Sequence, residues 1–252
     1  MFALSPAGAA LLVEAKRAKD IDELDWAKKN KDAGRVFIRH TLAEADFSTC
    51  LARAARLYPD HKILQHDALI ATLPDDTRAR LKPWSWGPVT LPPAYAVSGN
   101  AATFSIVPDC PFRVDLPDQT RRAFLVEIDR ATMPVYRKNL YQTSLYKKWL
   151  GYHFGHRLKL HKTLFGWAGV RFLIVTTTPA RVATALKIIK AMPDLYRDDH
   201  GEHFWFTDMA SLIAAPDILT HPWQCADGKT KTILSASPVS TTSAVRHRSR
   251  QV

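Results

Sequence analysis

Cysteine, glycine-rich phosphate loops and long apolar runs are the scarce elements of this chain. Three cysteines occur among 252 residues, at positions 50, 110 and 225. The count is odd, the spacing is wide and there is no CxxC pair to grip zinc or run thiol chemistry. This argues against a disulfide-stapled scaffold and fits a reducing cytoplasm. No uncharged apolar run approaches the roughly 20 residues a membrane-spanning helix needs, so no bilayer crossing is expected. The opening MFALSPAGAALLVEA has no basic start and is interrupted by Pro6, Gly8 and Glu14, so it reads as mature protein rather than a leader. Walker A and GxGxxG signatures are missing, which speaks against a nucleotide-driven motor or a dinucleotide enzyme.

Acidic residues are scarce where basic ones are dense. The formal net charge is +11, and such a surplus favours a polyanionic partner. From Arg121 to Lys190 the sequence holds fourteen Lys and Arg against two acids, Glu127 and Asp129, so this stretch carries +12 and the rest is nearly neutral. A solvated basic face is the bland reading of such a run. Two carboxylates isolated in a basic field point instead to a phosphate-binding surface.

Hydrophobic residues make up 46% of the chain, enough for a packed domain of ordinary size. Three segments are expected. Residues 1–35 comprise a Ser-Pro helix start at Ser5 and Pro6, similar to the end of a winged-helix domain, and a charged linker. Residues 36–233 form an α/β domain, and the Ser/Thr-rich residues 234–252 a disordered tail. Within the domain, apolar spacing predicts helices over 39–58, 66–81, 135–156 and 179–192. Strands are expected over 103–107, 112–115, 123–130, 170–177 and 203–207. A strand, a helix and a second strand in succession imply parallel pairing of 123–130 with 170–177.

The chemistry-bearing pattern lies in the middle. Pro108-Asp109 closes one expected strand, and Glu127 and Asp129 share one face of the next, because strand side chains alternate. Three carboxylates could then meet at one sheet edge, the setting a hard divalent cation requires. PDCPFRV followed by AFLVEIDR resembles the PD…ExK signature of restriction-endonuclease-like proteins. The run EIDRATMPVYRKNLYQTSLYKKWLGY resembles the replication-relaxation family, with VRFLIVTTTPAR as a weaker match. That family is associated with plasmid replication and mobilisation, and combines a winged-helix segment with a nuclease-like domain.

The resemblance implies a restriction-endonuclease-like mixed sheet flanked by helices, with a short winged-helix remnant before it. It implies Mg²⁺ as cofactor, with Asp109 as the PD aspartate and Glu127 as the ExK glutamate, both metal ligands. Asp129 stands where that motif has lysine and is counted as a third metal ligand. The missing base would come from the following helix as Lys148, with Tyr152 one turn along the same face. Arg130, Arg137, Lys138, Lys147 and Tyr152 are the expected DNA contacts.

Partners are then DNA and replication or mobilisation proteins. A DNA-binding accessory protein, an active Mg²⁺-dependent nuclease using Asp109, Glu127, Asp129 and Lys148, and a protein–protein adaptor all remain open. So does a structural role for the acids, as surface ion-pair partners of Arg121, Arg137 or Lys148. His153, His156 and His161 lack a fourth convergent ligand for zinc and are expected to face solvent or phosphate. Trp84 and Trp86, set between prolines, are expected to pin a loop to the domain or to stack on bases.

Overall fold

The most apolar run of the sequence becomes the centre of the sheet. In the computed structural model, residues 35–95, 101–140, 142–192 and 202–235 are described, together with Ala10 and Glu14. The expected winged-helix remnant and linker, and the tail beyond Ser235, therefore lie outside the described residues, apart from Ala10, Glu14 and Arg35; Leu234 and Ser235, expected in the tail, are instead ordered, their amides donating to the Leu219 and Thr232 carbonyls at 3.1 and 3.2 Å. The chain divides into two compact units, Met1–Ala43 and Glu44–Val252. The first is described chiefly by the beginning of helix α1 (Arg35–Leu57).

The second unit is built on a mixed sheet of seven strands, ordered β1-β4-β5-β6-β7-β8-β9. The strands are β1 (Lys62–Gln65), β4 (Phe112–Asp115), β5 (Arg121–Ile128), β6 (Arg171–Thr176), β7 (Phe204–Asp208), β8 (Trp223–Cys225) and β9 (Thr230–Lys231). β5, β6 and β7 are parallel, as the helical crossovers between them require, and the outer pairs are antiparallel. The crossovers are α4 (Leu145–Arg157) with α5 (Leu160–Phe165), and α6 (Pro179–Lys190). Short helices α2 (His66–Ile70), α3 (Asp75–Arg78) and α7 (Met209–Ala214) complete the unit.

Alternation along β5 divides the core. Ala123 and Leu125 face a cluster with Trp149, Tyr152, Phe172 and Phe206, roofed by α4 and by Val182, Ala185 and Ile189 of α6. On the opposite face Phe124 stacks on Phe112 with centroids 4.8 Å apart, and Phe112 meets Phe47 of α1 at 5.9 Å. Helices on both faces explain why β5 and β6 read as nearly continuous apolar runs.

Several sequence expectations are corrected. The helix expected over 135–156 begins only at Leu145. Val135 and Leu140 are both buried, a spacing of five that no single helical face provides, and Ser144 Oγ caps the true start by accepting the Lys147 amide at 3.2 Å. The helix expected over 66–81 is two short pieces separated at Pro74. The 103–107 strand does not join the main sheet. It forms β3 (Thr103–Ile106), which pairs with β2 (Trp86–Thr90) in a separate two-stranded sheet. Strands β1, β2, β8 and β9 were not expected; the last two are joined by an Asp-Gly turn in which Gly228 has φ +85°.

Trp86 keys the small sheet onto α4. It is fully buried, and its indole N–H donates to the Gly151 carbonyl at 3.1 Å. Gly155 makes room for it: a Cβ there would lie 2.2 Å from Trp86 Nε1. Gly155→Ala is expected to cost about 1–3 kcal/mol through overpacking. A thermal melt should show the loss as roughly 2–4 °C per kcal/mol, and an unchanged melting temperature would contradict the contact.

Candidate functional site

At the end of β5 the chain places its acids against cations from two different helices. Glu127 is buried on the α4 face of the sheet. Lys148 and Tyr152, one turn apart on α4, both reach it: Tyr152 Oη donates to Oε1 at 2.5 Å and Lys148 Nζ donates to Oε2. Burial pushes the Glu127 carboxyl up to about 7; Lys148 acts against this, and Asp109 adds to it. Burial also opposes the Lys148 charge, but Glu127, Asp109 and Asp129 outweigh it and raise the ammonium. The Tyr152 phenol is raised by burial and then by Glu127, so it stays protonated and donates.

Asp109 does lie beside β5, though not as a strand residue. Its amide donates to the Val126 carbonyl at 2.9 Å, and its Oδ2 accepts the Ile128 amide at 2.7 Å. The neighbouring Cys110 thiol is held far above its ordinary value by burial, then by Glu44, Asp109 and Glu127. It is therefore a packed, inert thiol rather than a nucleophile.

Asp129 is drawn elsewhere. Arg181, in the first turn of α6, grips it through Nε and, at 3.0 Å, through Nη2. Arg181 Nη2 also donates to the Met133 carbonyl at 2.7 Å, and Asp129 Oδ1 accepts the Ala131 amide at 2.9 Å. The 129–133 turn is thereby tied to α6. Among the described residues, Asp109, Glu127 and Asp129 do not place ligand atoms within 4.8 Å of one another; the carboxylate that does approach Asp109 this closely is Glu44 of α1.

Sequence reasoning missed Glu44 and Arg181. Glu44 had a signal, since it lies three and seven residues before the buried Phe47 and Leu51, on a stripe that is otherwise apolar. Arg181 had almost none, because nothing local links it to a residue 52 positions earlier.

The remaining expected residues are dispersed. Arg130 follows β5 and is half-buried, while Arg137 and Lys138 lie in the connector before α4 rather than on a helix. Arg137 donates to Gln142. Lys147 is half-buried with Nζ 4.9 Å from the Phe104 ring centre. Tyr152 is fully buried, so its side chain faces Glu127 and not a nucleic-acid surface.

The histidine expectation is also corrected. His153 and His161 are buried. His156 stacks on His161 at 4.9 Å and lies 4.0 Å from His203. Burial, aided by Lys162 and His203, lowers His161 to about 4, so it is neutral at physiological pH. Trp84 and Trp86 are core anchors: Trp84 packs on Phe165 at 5.6 Å and Trp86 is enclosed.

Among the described residues no helix is long and apolar enough to cross a membrane. No curated protein and no solved structure matches the chain. Residues 1–155, more than half of its length, match the replication-relaxation family. That span contains Glu44, Asp109, Glu127, Asp129, Lys148 and Tyr152, whereas Arg181 lies beyond it. The chain belongs to the replication-relaxation family.

Proposed function

We propose that this protein is a DNA-binding accessory factor of plasmid replication, relaxation or mobilisation, built on a restriction-endonuclease-like domain whose acids serve structure rather than hydrolysis. The observation carrying the non-catalytic part is the occupancy of the carboxylates. Both Glu127 oxygens are taken, by Tyr152 and Lys148, and Asp129 is held by Arg181. A cation at this point would have to displace an ammonium from a buried acid. DNA affinity is supported by family membership and by the +12 carried between Arg121 and Lys190.

A Mg²⁺-dependent nuclease is the second reading, and one arrangement favours it. Asp109 and Glu44 bring carboxylate oxygens within 4.8 Å of each other, close to a lysine–glutamate pair. Asp109 and Glu44, with Glu127 if Lys148 withdrew, are the oxygen donors a hard cation would use. The ion would supply charge neutralisation at a phosphate and an activated water. Asp129 is better assigned to Arg181 than to a metal.

The deciding experiment uses the full chain with labelled duplex and single-stranded DNA, with supercoiled plasmid alongside, across a salt series with and without Mg²⁺ or Mn²⁺. The expected result is binding that weakens steeply between 50 and 200 mM salt, by roughly a hundredfold or more if several phosphates are neutralised, without nicking. Metal-dependent nicking abolished by Glu127→Ala would establish the nuclease reading instead. Absence of DNA affinity at the lowest salt would leave only a protein–protein adaptor.

A further inference from the structure

Beside Lys148 lies a cleft of about 230 Å³ between β3 and the start of α4. Its walls combine two chemistries. Phe104, Val107 and Met133 are apolar, whereas Thr143, Lys147 and Lys148 are polar or cationic. Val107 is 48% exposed, an apolar side chain left in water at the mouth. Phe104 is half-buried, packed on one side against Gly151, where an added Cβ would lie 2.8 Å from the ring. Lys147 Nζ stands over the ring at 4.9 Å.

We infer that this cleft receives one unpaired nucleotide, its base against Phe104, Val107 and Met133 and its phosphate on Lys147 and Lys148, so that the protein prefers single-stranded over duplex DNA. The inference rests on the DNA-binding reading given above and deepens it. Size is the first argument. An apolar cavity of about 150 Å³ accommodates benzene, so the cleft has room for a nucleobase but not for a base pair. Composition is the second. A purely electrostatic backbone site has no use for an exposed valine, a phenylalanine and a methionine, whereas a base offers an apolar face to each. Aromatic stacking with cations on the adjoining phosphate is the recurring chemistry of single-strand recognition. Position is the third. Lys148 belongs to both the cleft and the Glu127 pair, so a phosphate seated on it would be felt at the buried acid.

The test compares three fluorescein-labelled probes of equal length with the full chain by anisotropy: an oligothymidine strand, the same strand made abasic, and a duplex. The abasic strand keeps every phosphate and loses only the bases. The expected result is roughly tenfold or greater preference for oligothymidine over both others. Val107→Asp, which places a negative charge at the exposed mouth, should abolish that preference, and Phe104→Ala should reduce it. Val107→Asp is the safer variant, because Phe104 also packs on α4. Equal affinity for thymidine and abasic strands, or a preference that Val107→Asp leaves unchanged, would overturn the inference while leaving DNA binding intact. Failure of all three probes to bind at low salt would remove the underlying reading and this inference with it.

Discussion

Glu127→Ala should destabilise the protein by about 3 kcal/mol at neutral pH. Removing one partner of a buried ion pair costs on the order of 3–5 kcal/mol, because the other is left without compensation. Here the lower end applies, since the Lys148 side chain is 30% exposed and part of its charge can reach water. The Tyr152 hydroxyl has no such escape, and loses the acceptor 2.5 Å away. For a chain of this size the melting temperature should fall by roughly 6–12 °C. Lys148→Met in the Glu127→Ala background should recover part of the loss, because an apolar side chain tolerates the site that a bare ammonium does not. Simple additivity of the two single effects would mean that the pair does not interact.

The same residue should write a pH signature. With its carboxyl pushed up to about 7 from an ordinary value of 4.5, Glu127 keeps in the folded protein a proton that the unfolded chain releases earlier. Its contribution is therefore full below about 4.5 and is lost as pH rises through about 7. Glu127→Gln does not titrate. The melting-temperature difference between variant and parent should thus move in the variant's favour between pH 4.5 and 8. A constant difference over that range would show that burial does not perturb the acid.

Arg181→Met should have a comparable effect by a different route. Asp129 has a side chain only 1% exposed, and Arg181 is its cationic partner across the end of β6. The variant leaves that carboxylate buried with the Ala131 amide still donating to it, and frees the Met133 carbonyl from its guanidinium. A loss of about 3 kcal/mol is expected, with local opening as well as global destabilisation. Amide hydrogen exchange should accelerate in residues 129–133 before it does in β5 or β6. Protection that falls equally everywhere would show that the arginine does not anchor this turn.

How far the sequence disclosed this arrangement depends on the range of each interaction. β5 and β6 were legible because both faces of each are covered, so residues 123–128 and 171–176 are apolar almost without a break. Lys148 and Tyr152 were legible as a pair because helical spacing alone puts them on one face. The beginning of α4 was not: Arg137, Lys138 and Tyr136 are common helix-surface residues, and only tertiary packing of Val135 and Leu140 shows that they sit in a connector. Asp109 does lie beside β5, but not through strand pairing: the strand before it pairs with β2, and Asp109 meets β5 through its amide on Val126 and its carboxylate on the Ile128 amide. Arg181 and Glu44 depended on contacts 52 and 65 residues away in sequence, which no local pattern encodes.

The first turns of α4 and α6 contain no acid and carry Lys147, Lys148 and Arg181, so each helix begins with positive charge where the backbone dipole already points positive. That is unfavourable for either helix alone, by about 0.3–1 kcal/mol per charge; at the end of β5, Glu127 offsets it for Lys148 and Asp129 for Arg181. A slip of that strand by one position would turn Glu127 away from α4, leaving the ammonium stranded above an apolar surface. The two ion pairs thus tie the docking of both helices to the register of β5.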